Sequence, residues 1–224
     1  MTARIGEGLL YQIVKPISLE LLLLDFNAVM NALLLAQNGV LHGARGLLDT
    51  VDIKMQTMLG TLMDYMPITE DKTISEMTFI MNHIAPILHG VLKFDPRMAV
   101  HFPNTDCGIQ KQQGVKPDRP DISIKISGQE VLFGEVSGPH QQTNESKNKW
   151  DLFRLMRSGK AFLDAGNRIA PLIQAIYSNG KYMRLVVKTR GMHLLEEVGS
   201  FAIPTTIITI SSLISSLSVL LSAK

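Results

Sequence analysis

The sequence predicts an α/β chain of the α+β kind, with a mixed central sheet flanked by helices and a helical segment in front of it. Three observations carry this expectation. Apolar residues recur at helical spacing between Ser18 and Leu92. Two pairs of short β-branched and aromatic runs follow, Asp121–Ile126 with Val131–Val136 around Gly128, and Pro171–Tyr177 with Lys181–Val187 joined through Ser178-Asn179-Gly180. Between the pairs lies a helical run that ends near Ala165.

In order, Ser18 to Gln37 reads as a helix with Ser18 as N-cap, Glu20 in the first turn and Asn38-Gly39 as the stop. A second helix is expected from Ala44 to Met66, with Leu47, Leu48, Val51, Met55, Met58, Leu59, Leu62 and Met66 on one stripe. These helices form an expected N-terminal segment, residues 1–70, which packs on the rest of the chain or across a homodimer interface. A methionine-rich stripe suits either a core or an adaptable partner surface. The remainder, 71–224, is expected to be a second unit. Its first helix should run from Thr73 to Leu92, shortened or kinked at Pro86. His83 and His89 lie on it without a second ligand at metal-binding spacing, and so read as packing or surface residues. Lys93 to Lys116 reads as an irregular loop, either a cover for a site or a simple connection.

The tail from Val198 to Ala223 contains no charged residue. Pro204 and eight Ser/Thr between Thr205 and Ser218 interrupt it, and Ile207 to Leu221 places Ile and Leu on one helical stripe. That pattern suits an amphipathic helix packed on protein better than a membrane anchor. Cys107 is the single cysteine, which excludes an internal disulfide and suits a reducing compartment. Residues 1–8 lack the basic-then-apolar layout of a secretory signal, so the expectation is an intracellular protein.

Net charge is only +2, which argues against a whole-surface nucleic-acid binder. Its distribution is uneven: Lys111 to His193 carries 14 Lys/Arg and 7 Asp/Glu, a net of +7, leaving −5 elsewhere. That asymmetry fits either a phosphate-rich partner or an ordinary solvated face. With one Trp and four Tyr, no aromatic-basic motif for base recognition is visible.

The stretch from Lys116 to Pro139 holds the chemistry. Asp121 opens one strand of a hairpin, and Glu135 sits inside the apolar run of the other. A Ser127-Gly128-Gln129 loop would set Asp121 opposite Glu135, whereas a Gly128-Gln129 loop would set Ile122 there. Like charges directly opposed on a sheet repel unless a cation lies between them, and hard divalent ions take carboxylate oxygens.

Pro120-Asp121, then an apolar strand with Glu135-Val136-Ser137, resembles the PD-(D/E)XK nuclease superfamily with its final lysine replaced by Ser137. From Ser75-Glu76 to the tail near Leu220 the order of elements is similar to a fungal family of uncharacterised nuclease-like proteins. The resemblance implies a restriction-endonuclease-like core in 71–224 and a divalent-metal-dependent phosphodiester hydrolase. Asp121, Glu135 and the Val136 carbonyl would be ligands of Mg²⁺ or Mn²⁺, with Glu76 as a further acid. Glu76 also fits a capping box, Thr73-Ile-Ser-Glu76. A serine hydroxyl cannot replace an ammonium. Lys147, or failing it Lys149, would reach back from the following helix, or else catalysis is lost and the fold binds nucleic acid or protein.

Overall fold

The computed structural model describes residues 19–92, 97–102, 105–189, 191–214 and 216. Helix α1 (Leu19–Gln37) stops where the sequence indicates. Gly39 takes φ +80°, and the Asn38, Gly39 and Val40 amides turn back onto the carbonyls of Leu34, Ala36 and Leu35. The expected helix 44–66 is two helices, α2 (Leu41–Leu48) and α3 (Ile53–Tyr65). The break lies at Thr50, whose hydroxyl donates to the Leu47 carbonyl at 2.8 Å, and at Asp49, which accepts from Gln56 Nε2 at 2.8 Å. Such local side-chain bonds compete with the helical ladder.

Ser75 caps α4 (Glu76–Phe79), accepting from the Thr78 amide at 3.0 Å. A π-helical segment, Ile80–Ile84, leads into α5 (Ala85–Leu92). Pro86 has no N–H to offer the carbonyl one turn back. The ladder lengthens ahead of it, with the Ala85 amide bonded to the Ile80 carbonyl, so the chain stays helical through the proline.

The six strands are β1 (Met98–His101), β2 (Ile122–Ile126), β3 (Gln129–Ser137), β4 (Ile169–Ile176), β5 (Asn179–Thr189) and β6 (Met192–Ala202), lying in sequence order across one open sheet. Helices α6 (Gly108–Gln112) and α7 (Glu145–Asp164) complete the seven α-helices among the described residues. The protein is thus an α+β fold. Only β3 and β4 run parallel, joined through α7, and the other neighbours are antiparallel. One face of the sheet shares an apolar core with the helices before it, through Ile122, Ile124, Val136 and Ile173. The other face packs on α7 through Phe133, Leu172, Leu155 and Phe162. Covered on both sides, β3 and β4 are mostly apolar; of the two glutamates buried in β3, Glu130 is capped by the α6 amides, and Glu135 is the one that needs an explanation.

The central hairpin turns through Ser127 and Gly128, both left-handed at φ 49° and 81°, which is neither expected loop. A register shift between Ile124 and Lys125 follows, after which Ile122 faces Gly134, so the next residues in line are Asp121 and Glu135. The second hairpin turns at Tyr177-Ser178 and not at Asn179-Gly180, which belongs to β5. Gly180 is needed inside the strand because the Phe201 ring lies where its side chain would be.

The stretch expected to be an irregular loop contains β1 and α6. Glu130 accepts from the Gly108 and Ile109 amides at 2.9 and 3.0 Å, and Gln110 holds Asp118 at 2.9 Å, so α6 braces the segment leading to Asp121. The tail begins as a 3₁₀ helix, Ile207–Ser212, against α1, and the described residues after it, 213–214 and 216, are α-helical. Ile207, Ile210 and Leu213 are buried in the main core. Residues 215 and 217–221 of the expected tail helix lie outside the described residues. Among the described residues no helix is long and apolar enough to cross a membrane.

Candidate active site

At the end of β3, past the last paired residue of β2, Asp121 Oδ2 accepts a hydrogen bond from the Val136 amide at 2.8 Å. The Ser137 carbonyl accepts from the Tyr177 amide on the β4 side at 2.8 Å. By strand alternation the Val136 carbonyl therefore points to the opposite edge, toward Asp121. Glu135 and Ser137 share the α7-facing side with Phe133, and Glu135 is only 1% exposed. The Asp121 and Glu135 carboxyls lie within hydrogen-bonding reach of each other. Burial, then the neighbouring Asp121 and Asp151, holds the Glu135 carboxyl far above the usual carboxylate range, against the pull of Arg154. Asp121 is raised as well, by burial first and by Glu76, although the Val136 amide opposes the shift.

Helix α7 supplies the other half of the site. It starts at the Asn144 cap close to the end of β3, and residues 147, 151 and 154 fall on one face at i, i+4 and i+7. Lys147 Nζ lies 3.2 Å from Ser137 Oγ, 2.7 Å from Asp151 Oδ2 and 3.3 Å from Glu76 Oε2. Burial works against its charge, but Asp151 and Glu76 outweigh that and keep it protonated above the ordinary lysine range. Ser137 Oγ donates within reach of Asn148 Oδ1 and Asp151 Oδ2, at 2.9 and 3.1 Å. Arg154 Nη2 contacts Glu135 Oε2 and lies 3.2 Å from Asp151 Oδ1, while its Nε is buried with no partner.

Glu76 is not the far end of a capping box. Ser75 is the cap, Thr73 closes on Asp71 through its amide and hydroxyl, and the Glu76 carboxylate turns to Lys147. Gly138 makes this approach possible, since a Cβ there would sit 3.2 Å from Glu76 Cα. Lys149 pairs with Glu145 on the solvent side and stays away from the carboxylates. His83 is buried against Phe79 and bonded to the Pro204 carbonyl, and His89 lies against Phe102, so both are packing residues. Asp151 and Arg154 are site residues that the strand motif does not reveal. Their spacing from Lys147 is the signal for them.

Among the described residues, no group of three or more His, Cys, Asp or Glu side chains is arranged to hold a metal ion. What the site offers an ion is two carboxylates and a backbone carbonyl. All are hard oxygen donors, and Mg²⁺ is commonly held by one or two carboxylates with water completing its shell. No protein-family model, curated protein or solved structure matches this chain.

Proposed function

We propose that this chain is a divalent-metal-dependent phosphodiester hydrolase acting on nucleic acid, on the plan of the PD-(D/E)XK nucleases. The observation that carries the reading is the Lys147 ammonium, 3.2 Å from the hydroxyl of the serine that replaces the motif lysine. Asp121, Glu135 and the Val136 carbonyl would hold Mg²⁺ or Mn²⁺. When bound, such an ion supplies Lewis acidity toward a phosphoryl oxygen and an acidified water. Lys147 neutralises charge that develops on the phosphoryl oxygens or orients the attacking water. Glu76 and Asp151 hold that ammonium in place and charged, and Ser137 fixes it from the strand.

One observation favours a second reading, a non-catalytic interaction module on a nuclease-derived fold. The Arg154 guanidinium already compensates Glu135. Its grip is nevertheless partial, with one nitrogen shared between two carboxylates and Nε unpaired, unlike the two parallel bonds of a structural arginine clamp. The test is cleavage of single-stranded and duplex DNA and RNA with Mg²⁺ or Mn²⁺ by the parent and by Asp121→Asn. The substitution keeps an acceptor for the Val136 amide, so the fold should survive while cleavage and metal-dependent stabilisation disappear. Undiminished cleavage by Asp121→Asn refutes the site. No cleavage by the parent, with stability indifferent to metal, selects the binding module.

A further inference from the structure

The geometry points to Trp150 and Phe153 as a stacking platform for an unpaired nucleobase, so that the strand presented to the carboxylates is single-stranded nucleic acid. This deepens the phosphodiesterase reading and rests on it for the chemistry, but the binding surface is a separate observation. Trp150 and Phe153 are 57% and 44% exposed on α7, and their rings stack with centroids 5.4 Å apart and planes at 27°. The apolar side of this helix is complete without them: Leu155, Phe162 and Leu163 face the sheet.

Their neighbours on the helix surface say what would cover them. Residues three and four apart on a helix lie side by side. Trp150 is flanked in this way by Lys147 and Arg154, the two cations of the site, and Phe153 by Lys149 and Arg157. At about 100° per residue, Trp150 lies about 60° round the helix from Lys147 and about 40° from Arg154. The site cations are held by acids on the protein side, Lys147 by Asp151 and Glu76, and Arg154 by Asp151 and Glu135. Lys149 pairs with Glu145 and Arg157 with Asp118 in exposed or half-exposed surface pairs, weak enough for a phosphate to displace. Rings bordered by cations match a polyanion that carries flat bases: phosphates meet the cations and a base face meets the ring. In a duplex those faces are already stacked on one another, so a platform beside the reacting phosphate favours a strand whose bases are free. Stacking tolerates any base, and this arrangement selects for strandedness, not sequence.

Trp150 is the chain's single tryptophan, so its fluorescence reports directly on the platform. The full chain, with EDTA present to prevent cleavage, would be titrated with oligodeoxythymidylate and oligouridylate of about twelve nucleotides. An abasic deoxy strand and a blunt duplex of equal length complete the set. Either base-bearing single strand should quench Trp150, and the stronger of the two names the sugar. The abasic strand and the duplex should bind roughly tenfold more weakly and leave the emission unchanged. Phe153→Ala should weaken single-strand binding by about five- to a hundredfold, and Phe153→Tyr should restore it. Equal affinity for abasic and base-bearing strands, or no effect of Phe153→Ala, overturns the platform, as does the absence of quenching by any strand. Measuring binding without metal separates the two readings. If the platform is right, base-dependent quenching of the parent stands whether or not the parent cleaves once Mn²⁺ is supplied. A parent that cleaves duplex while Phe153→Ala leaves binding untouched keeps the hydrolase reading and removes the platform.

Discussion

Raising the pH should weaken the metal-free fold through Glu135, and a divalent ion should cancel the loss. Burial, then Asp121 and Asp151, keeps this carboxyl protonated far above the usual range in the native state. In the unfolded chain it ionises near the ordinary value of about 4.3. Between the two values the native state holds a proton that the unfolded state has released. The stability this confers is complete below the unfolded pKa and is lost progressively as pH rises toward the folded one. One proton corresponds to a slope of about 1.4 kcal/mol per pH unit, so urea unfolding at about pH 6 and about pH 8 should differ by up to roughly 3 kcal/mol. His83 acts in the opposite sense, because burial lowers its pKa and its contribution is lost as pH falls below about 6.5. Glu135→Gln is therefore the reference: it should remove the Glu135 slope and leave that of His83. A divalent ion needs the ionised carboxylates, so its affinity rises with pH as it displaces the proton. At an ion concentration of about a hundred times Kd the gain is about 2.7 kcal/mol. In millimolar Mn²⁺ the parent's slope should flatten or invert. Identical slopes in the parent and Glu135→Gln, or a parent slope that Mn²⁺ leaves unchanged, would refute the reasoning.

Lys147→Ala should lower stability by roughly 1–3 kcal/mol in urea unfolding, because Asp151, only 3% exposed, loses one charged partner and keeps Arg154 as its one cation. It should reduce turnover while leaving the metal-dependent gain in place, and Lys147→Arg should not restore activity, since a planar guanidinium does not fit an ammonium's position. Ending the chain at Thr206 removes the buried Ile207, Ile210 and Leu213, each worth about 1.5–3 kcal/mol, so the melting temperature should drop by about ten degrees or more. An unchanged melting curve would show that the tail does not contribute to the core.

The fold was legible wherever a side-chain period or a cap speaks locally. The end of α1 at Asn38-Gly39, the alternation of Ile with Ser and Lys in β2 and the apolar run of β3 are cases of this. The register opposing Asp121 to Glu135 was among the expected ones, but it arises from a two-residue turn combined with a bulge, and no short-range pattern announces a bulge. The Asn179-Gly180 turn signal misleads for a tertiary reason: that glycine makes room for Phe201, and Tyr177 adopts φ 49° in the turn. The division of 44–66 at Thr50 depends on which backbone carbonyl a hydroxyl chooses, something periodicity does not encode. Edge strand β1, four residues long, has no run long enough to alternate visibly.

For the site, sequence reaches the strand residues and Lys147 but not the balance of charge. Among the described residues four carboxylates converge, Glu76, Asp121, Glu135 and Asp151, and two cations, Lys147 and Arg154, are set among them. Fully ionised, the cluster carries two negative charges in excess. The chain offsets part of that excess by holding protons on Glu135 and Asp121 above their usual range. A divalent cation at Asp121 and Glu135 would remove it entirely, and those are the two carboxyls whose pKa values are pushed up. The raised carboxyls and the proposed ion thus answer the same deficit. If the deficit instead served only to position Arg154, neutralising Glu135 by substitution would satisfy the cluster permanently. In that case Glu135→Gln would be more stable than the parent at every pH above the unfolded pKa, with or without Mn²⁺. If the ion is the intended partner, Glu135→Gln is the more stable form only until Mn²⁺ is added, and the order then reverses.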